Sequence, residues 1–431
     1  MGKLRLRKVF CLEKKQLRVN PARLEQSIRD LAMFGRNEHG GLDRTTFTQA
    51  ELAARDWLKE QLAEIALDIR VDQAANIWAM REGSETVLPP IAFGSHIDTV
   101  PNGGKYDGAL GVLIALEVMR LLQEHEIVTR HPLELVSFSA EEPNPFGLST
   151  FGSRAVTKKL KRTDIMDVKN PAGQLLTEAL RSAGGDPDRF EDAARSPGEL
   201  SAFLEVHIEQ GKRLLERKIP VGVVTAITGI YREIVVVSGE ANHAGTTLME
   251  DRNDALTASA EIVLALEKVC RNHPASEVVG TVGRMVISPN AANIIPEKAQ
   301  FVVEIRGKSR EEIQEAITAW ESCISAIEQE RSAIVQRTVM LDQPPAPMDD
   351  EVIRVSQEQA HSLGYPYYLL GSMAGHDATH MASITRSGML FVSSIGGKSH
   401  CPEEESRMED IEKAANVLLH TILELDQRLN R

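Results

Sequence analysis

Apolar positions along this chain arrive in two forms, short unbroken runs and longer stretches with helical spacing. After Asn20-Pro21, a capping side chain followed by proline at the first helical position, Leu24, Ile28 and Leu31 share one face and predict a helix. Strand-like runs and helical ones then alternate: IAFGSH, ALGVLIALEVMRLL, LELVSFSA and later AFLEVHI. That alternation predicts an α/β domain with a largely buried sheet.

The pattern changes after Gly211. Between Val221 and Leu341 the chain reads as a strand (REIVVVSG), a helix (DALTASAEIVLALEKV), two strands (TVGRMVIS and AQFVVEIRG), a long helix (EEIQEAITAWESCISAIEQ) and a last strand (AIVQRTVML). The order β-α-β-β-α-β is that of a ferredoxin-like sandwich with its own core. Alternation then resumes and ends with the strand GMLFVSSI and a helix from about Asp410. The expected architecture is α/β: a larger domain (1–212 and 342–431) with a central mixed sheet flanked by helices, and an inserted ferredoxin-like α+β domain (213–341).

At 431 residues and 42% hydrophobic content, the chain is long enough for both units. A net charge of -13 and a pI near 5.5 leave no basic stripe to replace phosphate counterions, which excludes a nucleic-acid binder. The small cluster KLRLRK near the start reads as a solvated end. Cys11, Cys270, Cys323 and Cys401 lie far apart without CxxC spacing, so neither a thiolate zinc site nor a disulfide framework is indicated. No apolar signal core is present, and no apolar run reaches the roughly 18 residues of a membrane span. The expectation is a soluble protein of a reducing, cytoplasmic compartment.

Chemistry gathers at strand ends. His96 and Asp98 end IAFGS, Glu141 and Glu142 end LELVSFSA, His207 ends AFLEV, and His400 follows GMLFVSSI through GGKS. Ligands of open α/β sheets bind beyond the carboxyl ends of strands. Asp107 joins from the glycine-rich turn that opens a buried helix. Each residue alone has an ordinary explanation, a satisfied histidine or turn chemistry, but two glutamates after an apolar run need partners when buried. The set suits two divalent ions bridged by one carboxylate and a water, roughly 3.5–4 Å apart. Histidine and carboxylate without thiolate fit Zn, Mn, Co or Ni alike. Adjacent residues of an extended segment point in different directions, so Glu142 can hold a metal while Glu141 faces the water as general base.

The chain resembles the amidohydrolase branch of the M20 metallopeptidase family, which contains N-carbamoyl-L-amino acid hydrolases, allantoate amidohydrolases and ureidoglycolate amidohydrolases. The motifs are GSHIDTVPNGGKYDGALGV, EEPNPFG with GSR, LEVHIEQG, GEANHAGTTLMEDRNDAL, SPNAANIIP, EIRG, AGHDA and GKSHCPEEE. The resemblance implies that His96, Asp107 and His207 bind one metal and that Asp107 bridges to a second held by Glu142 and His400. It implies Asp98 as orienter of His96 and Glu141 as catalytic base. It also implies dimerisation through the inserted domain, with His243 reaching the partner subunit's active site to stabilise the oxyanion. Asn293 and Arg306 match the pair that grips a substrate carboxylate, and Gln210 and His376 are candidates for contacts near the ureido group. His207 stands where M20 peptidases carry an acidic ligand, which favours a small ureido or carbamoyl acid over a peptide.

The chain departs from the family pattern at Pro145, in place of an arginine, at Leu248, in place of proline, at Glu304, in place of aspartate, and at Ala75, where glycine is frequent. None removes a metal ligand. The alternative readings are an M20-type metallo-exopeptidase or N-acyl amino acid deacylase, and a non-catalytic scaffold, which would be expected to lack Glu141 or a ligand.

Overall fold

A strand covered on both faces needs no polar alternation, and IAFGSH, LELVSF, AFLEVHI and SGMLFV are buried at every position. The computed structural model describes residues 17–429. Its strands are β1 (Asp68–Val71), β2 (Ile77–Arg81), β3 (Ile91–His96), β4 (Leu133–Phe138), β5 (Ala202–Ile208), β6 (Val221–Ile227), β7 (Gly229–Ser238), β8 (Val279–Ser288), β9 (Lys298–Gly307), β10 (Ile334–Gln343), β11 (Ala346–Pro347), β12 (Tyr367–Ser372) and β13 (Ser387–Val392). Its α-helices are α1 (Pro21–Leu31), α2 (Gln49–Ala63), α3 (Ala109–Glu124), α4 (Phe151–Val156), α5 (Leu176–Ser182), α6 (Arg213–Arg217), α7 (Ala255–Arg271), α8 (Arg310–Arg331), α9 (Asp350–Ser362), α10 (Ala378–Met381) and α11 (Met408–Arg428).

By its contacts the chain divides into two units, the second comprising Ala226–Pro347 with Gly371–Gly375 and the first the remaining described residues. The large sheet is mixed, in the order β1-β2-β4-β3-β5-β13-β6-β11 with β12 also on β6. Its centre, β4-β3-β5-β13, is parallel, while β1, β2 and β6 run antiparallel to their neighbours. The helix α3 is buried at every position from Ala109 to Leu122, as expected of a helix that is apolar all round. Each buried leucine there contributes about 1.5–3 kcal/mol. Its one buried carboxylate is answered: Glu117 takes Arg23 Nε at 2.7 Å and the Asn20 amide at 2.8 Å. Asn20 also caps α1, accepting from the Arg23 amide.

The second unit runs strand, helix, two strands, helix, strand, and its sheet has the antiparallel order β10-β7-β9-β8. In β9, burial alternates with period two. Phe301, Val303 and Ile305 enter a core with Trp320 of α8 and Ile262 of α7, and Glu304 and Arg306 take the opposite face. Both helices start on side-chain caps, Asp254 for α7 and the reciprocal pair Ser309 and Glu312 for α8.

The sequence reading draws a second domain over 213–341, and the second unit here comprises Ala226–Pro347 with Gly371–Gly375. Residues 213–225 stay with the first unit because β6 pairs with β13, from Val221↔Val392 to Val224↔Met389. No helix among the described residues is long and apolar enough to cross a membrane. The KLRLRK cluster and Cys11 lie outside the described residues.

Candidate metal centre

Because β4, β3, β5 and β13 are adjacent and parallel, their carboxyl ends meet along one edge of the sheet. The chain leaves β3 for β4 on one side and reaches β5 on the other, so the loops diverge around β3, the position where open sheets hold ligands. His96 is the last residue of β3, and His207 lies near the end of β5. Glu141 and Glu142 follow β4, His400 follows β13, and Asp107 stands just before α3.

Asp107 is the centre of the cluster. Its Oδ1 lies 3.0 Å from His207 Nε2 and 3.9 Å from His96 Nε2, and its Oδ2 lies 3.3 Å from His400 Nε2. His400 Nε2 is also 3.4 Å from Glu142 Oε1. The ligand atoms of His96, Asp107 and His207 lie within 4.8 Å of one another, as do those of Asp107, Glu142 and His400. Glu141 Oε2 approaches His96 Nε2 at 3.5 Å without belonging to either triad.

Backbone conformation makes this approach possible. Gly108 has φ 63, and a Cβ there would meet the His96 ring at 2.2 Å, so both the turn and the contact require glycine. Asp98 serves two purposes. Its carbonyl oxygen lies 3.1 Å from His96 Nδ1, and its carboxylate accepts from the Glu141 and Glu142 amides at 3.3 and 3.1 Å and from the Thr46 hydroxyl at 3.0 Å. Behind Asp107, Glu404 accepts from the Tyr106 and Asp107 amides at 2.8 and 3.0 Å, and Ser399 donates to Asp107 Oδ2 at 2.6 Å.

The residues fit a divalent cation on two observations. First, buried Glu142 Oε1 has no hydrogen-bond partner, although an unmatched buried polar atom is costly. Second, His207 Nδ1 faces the Ile208 carbonyl at 2.9 Å, which puts a ring proton there and turns Nε2 to Asp107 Oδ1 at 3.0 Å. Nitrogen and carboxylate oxygen at that separation need a positive charge between them, a proton on Nε2 or a metal ion in its place.

The electrostatics carry the same message. Burial disfavours a charged His96 or His207, yet Glu141 and Asp98 around the first and Asp107 beside the second lift both above the ordinary histidine value. Burial would raise Asp107, but His207, His400 and His96 hold it well below the usual carboxylate range. Burial and Asp107 push Glu142 up to about 7, and the hydrogen bond to Asp107 raises half-exposed His400 to about 9. Burial, reinforced by Glu142, Asp377 and Asp98, pushes Glu141 well up, with His96 opposing. A raised carboxyl can both take and return a proton near neutral pH.

Other residues singled out in the sequence fall in different places. Gln210 lies in this cluster, donating from Nε2 to Asp107 Oδ2 at 2.8 Å. His376 is buried with its ring against His207, centroids 4.5 Å apart, and burial with His207 holds its pKa well below the ordinary value. His243, Asn293 and Arg306 belong to the second unit. There His243 is exposed and bridges Ile294, and Asn293 O accepts from the Ala244 amide at 3.0 Å. Arg306 donates to Glu304 Oε1 and to the Met373 carbonyl, both at 2.7 Å. Glu304, one of the departures, thus orients Arg306, and Pro145 is exposed.

Two readings of the sequence need correction. β4 ends at Phe138, so Glu141 and Glu142 do not continue a strand. They follow Ala140, whose φ of 54 turns the chain, and both their amides donate to the Asp98 carboxylate. Sequence reasoning also missed Glu404 and Ser399, although both lie in GKSHCPEEE. Three consecutive acids after a candidate ligand were a signal, but which one turns inward was not legible.

Residues 92–424 match the family described as Peptidase family M20/M25/M40. The N-carbamoyl-L-amino acid amidohydrolase of Geobacillus stearothermophilus is 37% identical over 408 residues, covering 94% of this chain and 98% of its own. The ureidoglycolate hydrolase of Arabidopsis thaliana is 35% identical over 418 residues, covering 95% and 87%. Among solved structures, an amidase of the hydantoinase/carbamoylase family from Burkholderia multivorans superposes with a TM-score of 0.87 at 31% identity, covering 95% of this chain and 98% of its own.

Proposed function

Because the chain belongs to peptidase family M20/M25/M40, we propose that it is a metal-dependent amidohydrolase. Its reaction is cleavage of the carbon–nitrogen bond of a carbamoyl or ureido group on a small carboxylate-bearing substrate. The observation that carries this reading is the pair of ligand triads sharing Asp107, with Glu141 beside them and outside both. Relatives named for carbamoyl and ureido substrates, and His207 as a ligand in place of a carboxylate, favour this class over peptides.

His96, Asp107 and His207 would hold one divalent ion, and Asp107, Glu142 and His400 a second, of Zn, Mn, Co or Ni. Two groups of candidate ligand atoms that share only Asp107 support a count of two. When bound, such ions lower the pKa of water and polarise a carbonyl. Glu141 takes the proton of the attacking water, holds it on its carboxyl group and delivers it to the leaving nitrogen. Asp98 keeps the His96 ring in place. For a carbamoyl amino acid, the carbamate released falls apart to carbon dioxide and ammonia.

The second unit has the chain order of a ferredoxin-like sandwich, which supports the reading that it is the dimerisation and closing domain. Arg306 and Asn293 would grip the substrate carboxylate, and the partner subunit's His243 would stabilise the oxyanion. Gln210 and His376 would line the ureido end.

The test is ammonia and amine release from N-carbamoyl-L-amino acids, allantoate, ureidoglycolate, N-acetyl amino acids and dipeptides, with each metal added to stripped enzyme. Turnover confined to ureido and carbamoyl compounds is expected. Turnover confined to dipeptides or N-acyl amino acids would overturn the substrate class.

A further inference from the structure

We infer that His380 is a positioning residue for Glu141, acting through Thr150 on the loop that follows the glutamates; this rests on Glu141 being the proton carrier. Thr150 has φ 48 and ψ 34, a left-handed conformation in which a β-branched side chain is an outlier. Such a residue persists only where its surroundings hold it there.

Thr150 is held from both sides. Its amide donates to the Glu141 carbonyl at 2.7 Å, and the amides of Phe151 and Gly152 donate to Ala140 and Ser139 at 3.0 and 2.9 Å. These bonds close the loop between Glu141 and Thr150 and fix the backbone from which the Glu141 side chain projects. On the other side, His380 Nε2 lies 2.9 Å from Thr150 Oγ1, and His380 Nδ1 lies 3.2 Å from Lys159 Nζ. An ammonium only donates, so Nδ1 accepts, the ring proton sits on Nε2, and it points at Thr150. The Thr150 hydroxyl donates its own hydrogen bond to the Ser149 carbonyl at 2.8 Å. Lysine therefore sets the direction of every bond in the chain.

His380 is itself anchored. Its helix α10 begins at Ala378, whose amide donates to Glu205 Oε2 at 3.0 Å, on β5 two residues before His207. One short helix thus ties the strand carrying a candidate ligand to the loop behind the candidate base. Burial, with Lys159 and Arg154 adding, lowers the His380 pKa to about 3 and keeps the ring neutral. None of Lys159, His380 and Thr150 takes part in the proposed chemistry.

Wild type, His380→Ala, Thr150→Val, the double variant, His380→Gln and Glu141→Gln are to be compared for kcat, KM and metal content with one metal and the best substrate of the panel. His380→Ala and Thr150→Val are each expected to lower kcat by about 10- to 100-fold, the cost of a small misplacement of a reacting group, with KM and metal content unchanged. The double variant loses no more than the worse single, because both break one tether. His380→Gln, whose amide can donate to Thr150, recovers most of the loss. Wild-type kcat in His380→Ala overturns the inference, and so do additive losses in the double variant. If His380→Ala does not fold, Thr150→Val decides alone, and wild-type kcat there is the overturning result. Full turnover by Glu141→Gln instead overturns the role of Glu141; an inert Glu141→Gln beside a normal His380→Ala overturns only the tether.

Discussion

Glu142 in the first unit and Glu233 in the second are both buried carboxylates near a basic side chain, but their surroundings differ. Glu233 accepts from Tyr231 and from Arg337, each at 2.7 Å, and Arg337 also lies over the Trp320 ring. Glu142 has an oxygen with no hydrogen bond and is pushed toward its neutral form by burial and Asp107. Charge closed within the protein is structure, because a buried ion pair must satisfy itself. Charge left open in a buried pocket is a seat for something else. Glu304 with Arg232 and Arg306 repeats the closed pattern on the outer face of the second sheet, though Arg306 keeps donors to spare.

Metal removal is the largest way to break this comparison. Chelation should abolish turnover, and readdition of one of the four divalent ions should restore it. Amide exchange in segments 96–108 and 141–142 should rise by about 100-fold on stripping, if metal had been present at a hundred times its dissociation constant, while α7 and α8 stay protected. Equal loosening of both units would show that the open charge of the first is not the binding site. Next, Glu141→Gln should cost about 10²- to 10⁴-fold in kcat with metal content intact by elemental analysis; loss of metal would make Glu141 a ligand.

Arg337→Ala tests the closed side. It strands Glu233 and should cost about 3 kcal/mol in a denaturant titration, without altering metal content. Acid should find the first unit more readily through His380. Its folded pKa is lowered by burial, Lys159 and Arg154, so the unfolded chain binds the extra proton. Stability is then lost as pH falls below the unfolded value of about 6.5, and the loss levels off near the folded value of about 3. It should amount to a few kcal/mol in order of magnitude. Denaturation midpoints of His380→Gln should be flatter over that window, and an unchanged slope would assign the acid sensitivity elsewhere. The smallest effect is expected at Arg306→Lys, a KM raised by about 10-fold through loss of one charge-assisted bond with kcat little changed. An unchanged KM would leave Arg306 as merely the partner of Glu304.

The central strands and the helix α3 were legible because burial on both faces leaves an unbroken apolar run that no neighbour has to explain. The alternation in β9 was legible for the opposite reason, since one covered face imposes a period of two. Short strands such as β1 and β11 were not, because a strand of 4 or 2 residues has too few positions to show a period. The sheet that β6 joins was not legible either: its run is apolar whichever sheet it joins, and only its pairing with β13 assigns it.

For the site, residue types at strand ends could be read locally, and the family resemblance implied which are candidate ligands and which the candidate base. Pairing across the chain could not be read that way. Nothing local says that Asp107 offers one oxygen to His207 and the other to His400, or that Glu404 reaches back 297 residues to the Asp107 amide. Nor does a threonine codon announce a left-handed backbone held by a histidine 230 residues away. Periodicity and side-chain chemistry act over a few residues and are written along the chain. Sharing of a carboxylate, choice of a tautomer and the shift of a pKa depend on atoms a few ångströms apart, and only folding sets those distances.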